Sequence, residues 1–162
     1  MLAGRGYEIV ALTGKATQEP YLREIGASRI LLRDQFDLSK RPMEKMQWGG
    51  AIDNLGGDYL TWLTRTVNYG GNIASIGLAA SATLNTTVLP FILRAVCLLG
   101  INSVDTPPDL RRAVWARIGG DLKPRHLDTI GKHTISFDEL PGAFQAYIDG
   151  AVTGRTVVKI ST

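Results

Sequence analysis

Apolar runs of strand length alternate along the chain with segments whose apolar residues recur at helical spacing. The first run, "YEIVAL" at 7–12, leads into "TQEPYLREIGA", where Thr17 is the expected N-cap, Leu22 and Ile25 face inward and Gly26 closes a helix. "SRILL" at 28–32 is a second strand, and the polar stretch 34–47 reads as loop with a helical turn. A third strand within "WGGAIDNLGG" ends at Asp53 and Asn54, and Leu60, Leu63 and Val67 mark the helix after it. "YGGNIASIGL" is strand again. "NTTVLPFILRAVCLLGI" opens as a short helix from Thr86 to Arg94 and becomes strand through Val96 to Ile101. Thr106 as N-cap, with Pro107 at the first helical position, starts a helix that ends at Gly119. Beyond it "HTISF" is strand-like. Ser136 and Glu139 have capping-box spacing ahead of Leu140, Ala143, Phe144, Tyr147 and Ile148, and "RTVVKI" is a last strand.

Strands apolar on both faces, each followed by a helix, imply a parallel sheet covered by helices on two sides. The expected fold is therefore α/β and doubly wound. Asp53 and Asn54 end a strand at the ligand side of such a sheet. They either position a loop over a bound molecule or cap the helix over 57–68.

Composition narrows the partners. In 162 residues the formal net charge is +3, with 44% hydrophobic and 20% charged residues, ordinary for one soluble domain. Lys and Arg are scattered, which argues against a nucleic-acid partner and suits a pocket for one phosphorylated small molecule. No apolar run approaches the roughly 18 residues of a membrane span. With a single cysteine, Cys97, no internal disulfide exists, and a reducing cytoplasm is the expected compartment. Cys97 is expected to be a buried small hydrophobe, and Trp48, Trp62 and Trp115 to be core or interface residues, Trp115 alongside Leu110, Val114 and Ile118. His126 and His133 are isolated, so they read as surface histidines and not as metal ligands. Ser75, Ser81 and Ser103 lack the G-x-S-x-G setting of a hydrolase.

The most informative stretch is "ALTGK". In dinucleotide-binding folds the end of the second strand meets the adenosine ribose, where an acid binds the 2′-hydroxyl and repels a 2′-phosphate. From Ile9 through Gln18 there is no Asp or Glu. Instead there is a hydroxyl at Thr13, an open backbone at Gly14 and a cation at Lys15. Arg33 ends the next strand, and adjacent parallel strands bring their carboxyl ends together. Such a pair suits a dianionic 2′-phosphate through charge-assisted hydrogen bonds, hence NADP(H).

Several blocks carry a family resemblance: "LTGK", "YLREIGASRILLRD", "GGAIDNLGG", "NYGGNIASIGLAAS", "TTVLPFILRAVCLLGINSVDTPP" and "GRTVVKI". Through them the chain resembles the carboxyl-terminal half of a zinc-free medium-chain dehydrogenase/reductase, in the acrylyl-CoA reductase and YhdH-type quinone oxidoreductase group. The resemblance implies a Rossmann-like doubly wound parallel sheet that lacks the first strand and the glycine loop. It implies a truncated dinucleotide-binding domain over 1–120, and a segment over 121–162 that would return to the catalytic domain in the full enzyme. Thr13, Gly14 and Lys15 stand where the family's Ser-Gly-Arg type turn holds the 2′-phosphate, with Arg33 joining it. Leu78, Ile92 and Ser103 match positions that line the nicotinamide half. A residue close to "TGRT" touches cofactor in such enzymes, and Arg155 is the candidate. Lysine in place of arginine loses the planar fork, so weaker discrimination for the 2′-phosphate is expected.

The implied reaction is hydride transfer from NADPH to an enoyl thioester or a quinone-like acceptor. Its catalytic groups lie in an amino-terminal, GroES-like domain, so none is assigned here and this fragment is expected to be inactive alone. In the family the strand at 96–101 pairs across a two-fold axis, which implies a homodimer. Without a first strand, the strands at 7–12 and 50–54 would each carry unpaired backbone groups, costing on the order of 1–3 kcal/mol apiece. A non-catalytic nucleotide-binding or structural module is the alternative. A methyltransferase-like domain using S-adenosylmethionine is disfavoured by the missing acid at Thr13 and Lys15.

Overall fold

The computed structural model describes residues 1–35, 37–38 and 41–160; Phe36, Ser39 and Lys40, in the loop expected over 34–47, lie outside the described residues. In chain order its elements are β1 (Val10–Thr13), α1 (Glu19–Glu24), β2 (Arg29–Leu32), β3 (Trp48–Asp53), α2 (Gly57–Thr66), β4 (Val67–Ser75) and α3 (Leu89–Arg94). There follow β5 (Cys97–Gly100), α4 (Pro108–Gly119), α5 (Leu127–Ile130), β6 (His133–Ser136), α6 (Leu140–Ile148) and β7 (Thr156–Lys159). Every ladder among these strands is parallel, as the apolar runs required. The ladders are β1–β2, β3–β4–β5 and β6–β7. Within each ladder, successive strands are parallel neighbours joined by a crossover, the connection of an α/β fold.

By packing, residues 1–36 and 112–162 form one unit and residues 37–111 a second. In the second, the register aligns Ala51, Ile73 and Leu98 across the three strands. Ile73 closes a core with Leu60, Val67 and Val96, against which Trp48, Leu63, Phe91 and Leu98 pack. Trp48 meets the buried Trp62 edge to face at 5.8 Å. Arg94 donates to the carbonyls of Arg65 at 2.8 Å and Glu44 at 2.6 Å, which satisfies the carboxyl end of α2. The opposite row of the same strands, Ile52, Ala74 and Leu99, lies open, with Ile52 59% exposed.

That open row corrects the reading of Cys97, which is exposed: Val96, just before β5, is the residue taken into the core. Trp115, Leu110 and Val114 are likewise exposed, and α4 buries no residue. Periodicity placed them on one face, and that face is left exposed by the described residues, which keeps only the interface reading for Trp115. Two expected caps are also absent. Thr17 lies inside a short 3-10 turn ahead of α1, and the Thr106 hydroxyl donates to the Asn102 carbonyl at 3.0 Å instead of capping α4. His126 and His133 are exposed, as expected.

The first unit holds β1–β2, β6–β7 and their helices. Ser28 ties the start of β1, its hydroxyl donating to the Ile9 carbonyl at 2.9 Å and accepting from the Ile9 N–H at 3.1 Å. Glu139 accepts from the N–H and the hydroxyl of Ser136 at 2.7 and 2.8 Å, which is half of a capping box. No helix among the described residues is long and apolar enough to cross a membrane.

Candidate functional site

Pairing of Thr13 with Leu32 ends β1 and β2 side by side, so Gly14 and Arg33 follow at neighbouring positions. The Arg33 guanidinium lies directly over Gly14. A Cβ at position 14 would overlap its Nη2 and stand 2.8 Å from Nε and 2.9 Å from Cζ, so only glycine leaves room for it. The Thr13 hydroxyl accepts from the Lys15 N–H at 3.1 Å and locks the turn. Lys15 extends elsewhere: its ammonium is 3.4 Å from where a Cβ on Gly150 would be, beside the turn that ends α6. Neither cation meets a carboxylate among the described residues. The Arg33 guanidinium therefore lies at the Gly14 turn with no carboxylate to neutralise it, while the Lys15 ammonium is directed towards Gly150.

In the second unit, Asp53, Ser75 and Gly100 end their strands in one register. A pocket of about 510 Å³ opens at these carboxyl ends, the place where open parallel sheets take ligands. Leu78 and Asn102 are among its lining residues. Asp53 is 3% exposed and closes the turn ahead of α2: Oδ1 accepts from the N–H of Leu55 and Oδ1 and Oδ2 from that of Gly56, all at 3.1 Å. Its carbonyl meanwhile accepts from Ile76 at 2.8 Å and Gly77 at 3.3 Å, so one residue joins the loops after β3 and β4. Gly77 permits this approach, since a Cβ there would sit 2.7 Å from the Asn54 carbonyl oxygen. Leu78, carried by the second of these loops, is 66% exposed.

Among the other expected contacts, Ile92 projects from α3 at 72% exposure and is not among the pocket-lining residues. Ser103 is exposed and directly follows Asn102. Arg155, in the first unit, donates its N–H to the Ile130 carbonyl at 2.6 Å. Asn102 escaped the sequence reading, although an Asn three residues ahead of an Asp after a strand is a signal for a side-chain-closed turn. Perturbed acids lie elsewhere: the Arg117 hydrogen bond holds Asp121, and Ser136 holds Glu139, below the usual carboxylate range. No cluster of metal-ligating residues occurs among the described residues.

No family model matches the chain. Over 161 residues, 99% of this chain and 49% of the relative, it is 44% identical to "Putative quinone oxidoreductase YhfP" of Bacillus subtilis. Over 156 residues, 96% of this chain and 48% of the relative, it is 46% identical to "Probable acrylyl-CoA reductase AcuI" of Escherichia coli. The crystal structure of Bacillus subtilis yhfP with NAD bound matches at a TM-score of 0.93 and 42% identity, over 98% of this chain and 49% of that one. The yhdH oxidoreductase from Salmonella enterica in complex with NADP matches at 0.91 and 42%, over 99% and 49%. The chain spans about half the length of the curated relatives it matches. Over nearly all of its length it is thus similar to one half of a YhdH-type oxidoreductase, of the group holding quinone oxidoreductase YhfP and acrylyl-CoA reductase AcuI.

Proposed function

We propose that this chain is the NADP(H)-binding part of a cytoplasmic oxidoreductase that, in the intact protein, passes hydride from NADPH to an acrylyl-CoA-like enoyl thioester or a quinone-like acceptor. The observation that carries it is the Arg33 guanidinium seated over Gly14 at the end of β1. Thr13, Gly14 and Arg33 would hold the adenosine 2′-phosphate, with Lys15 supplying a second charge. Leu78, Ile92 and Ser103 would line the nicotinamide half, and Arg155 is the candidate contact near the carboxyl terminus. The cofactor supplies the hydride; this chain binds and orients it. Catalytic groups for the acceptor belong to the other half of the protein, and the chain alone is proposed to be inactive.

A guanidinium over the glycine, without a second planar fork at position 15, favours a 2′-phosphate less strongly than two arginines would. The structures of relatives with NADP and with NAD fit a site whose preference rests on so few groups. Fluorescence titration of NADPH against NADH tests this, on the chain and on a version extended upstream in its reading frame. Tighter binding of NADPH is expected; equal affinities would sink it. β5 forms the edge of its sheet with Leu99 exposed, and we propose that it pairs with β5 of a second copy. Sedimentation showing monomers at high concentration would remove that part.

A further inference from the structure

The loop that leaves β5 is held from two sides. Ile101 first extends the ladder, its N–H donating to the Ser75 carbonyl at 3.0 Å. Asn102 Oδ1 then accepts from the N–H groups of Val104 and Asp105 at 3.0 and 3.2 Å, while its Nδ2 donates to the Asp105 carboxylate at 3.0 Å. From the other side, one Arg111 nitrogen, Nη2, donates to the carbonyls of Ser103 at 2.6 Å and Val104 at 3.3 Å. Arg111 is itself anchored in α4, its N–H bonded to the Pro107 carbonyl at 2.9 Å.

A peptide unit is planar, so the Ser103 carbonyl and the Val104 N–H belong to one rigid plate, and the Val104 carbonyl and the Asp105 N–H to the next. Asn102 grips one end of both plates and Arg111 the other. Removing either grip frees rotations that must be ordered again whenever the loop binds anything. The Ser103 N–H and hydroxyl have no partner among the described residues, so they are the loop's uncommitted polar groups, next to a pocket-lining residue.

We infer that Arg111 is a positioning residue for the dinucleotide: it holds the Ser103 and Val104 carbonyls so that Ser103 is presented, already ordered, to the nicotinamide half. This rests on the NADP(H) reading above and assigns a role to a residue that touches no cofactor. The Arg111 side chain donates to the Ser103 and Val104 carbonyls, and Thr13, Gly14, Lys15 and Arg33, the residues proposed for the 2′-phosphate, are not among its partners. Loss of Arg111 therefore weakens NADPH and NADH alike and leaves their ratio untouched.

The test compares the wild-type chain with R111A and R111K. R111A should lower affinity for both dinucleotides about threefold to tenfold, the order of the penalty for re-ordering one loop. It should speed hydrogen exchange at Val104 and Asp105 without changing the thermal midpoint, and R111K should restore part of both effects. Unchanged exchange, unchanged affinity, or a shifted NADPH-to-NADH ratio would overturn the inference while leaving the functional reading standing. A wild-type chain that binds neither dinucleotide, alone or extended upstream, would overturn the functional reading and this inference with it.

Discussion

Between residues 37 and 111 a three-stranded ladder and two bridged loops surround Leu60, Val67, Ile73 and Val96, while the described residues of 1–36 and 112–162 hold two separate two-stranded ladders and bury one hydrophobic residue, Ala27. The pocket thus stands on a closed core, and the Gly14–Arg33 turn on a ladder of the kind that is marginal by itself. The contrast teaches that rigidity and charge are supplied by different parts of the chain. Under the proposed function, shape for the nicotinamide half would come from buried contacts, and selection for a phosphate from exposed cations at and beside a turn closed by Thr13. Ligand binding should therefore steady the first unit more than the second, because the first has less stability of its own.

Truncating the core is the strongest way to probe that difference. Ile73→Ala should cost about 2–5 kcal/mol in denaturant unfolding, whereas Leu31→Ala in the half-buried β2 should cost clearly less. Equal losses would erase the contrast. Asp53→Ala comes next, since it strands the Leu55 and Gly56 N–H groups in a buried turn at about 1–3 kcal/mol. Its measured signature should be lower stability together with loss of exchange protection at residues 76–81. Gly14→Ala should leave unfolding nearly unchanged yet displace Arg33, weakening NADPH about tenfold and NADH little, as read by titration.

The smallest effect concerns Glu139. Its carboxyl is held below the usual range by the Ser136 N–H and hydroxyl, so the folded form binds its proton more weakly than the unfolded chain. The contribution is complete above the ordinary glutamate range and is lost as pH falls through the lowered value. Ser136→Ala keeps the N–H bond and removes the hydroxyl bond. It should raise the Glu139 pKa part of the way in an NMR titration, with a small stability loss at neutral pH that vanishes at low pH.

Element order and parallel pairing were legible because each apolar run ends at a glycine, an amide or a charge that stops a strand. The Gly14–Arg33 juxtaposition was legible for a related reason: parallel register places residues after paired strand ends side by side. Burial was harder. Cys97 and Trp115 look internal by period, but a period names a face and not what covers it. Thr17 and Thr106 have cap chemistry, yet their place depends on where the backbone starts to coil, a matter of one or two residues. Lys15 could be placed on its turn but not aimed, because its direction depends on the end of α6, more than 130 positions away. Arg111 left no trace in sequence at all, since its meaning is a pair of carbonyls seven and eight residues back.

The position of Cys97 has a practical side. It is the sole thiol and is exposed on the outer strand of its sheet, so a maleimide dye would mark one known spot without mutagenesis. Labelling speed then becomes a gauge of that border: quick and complete while the strand is bare, slowed as concentration rises if another copy comes to lie along it.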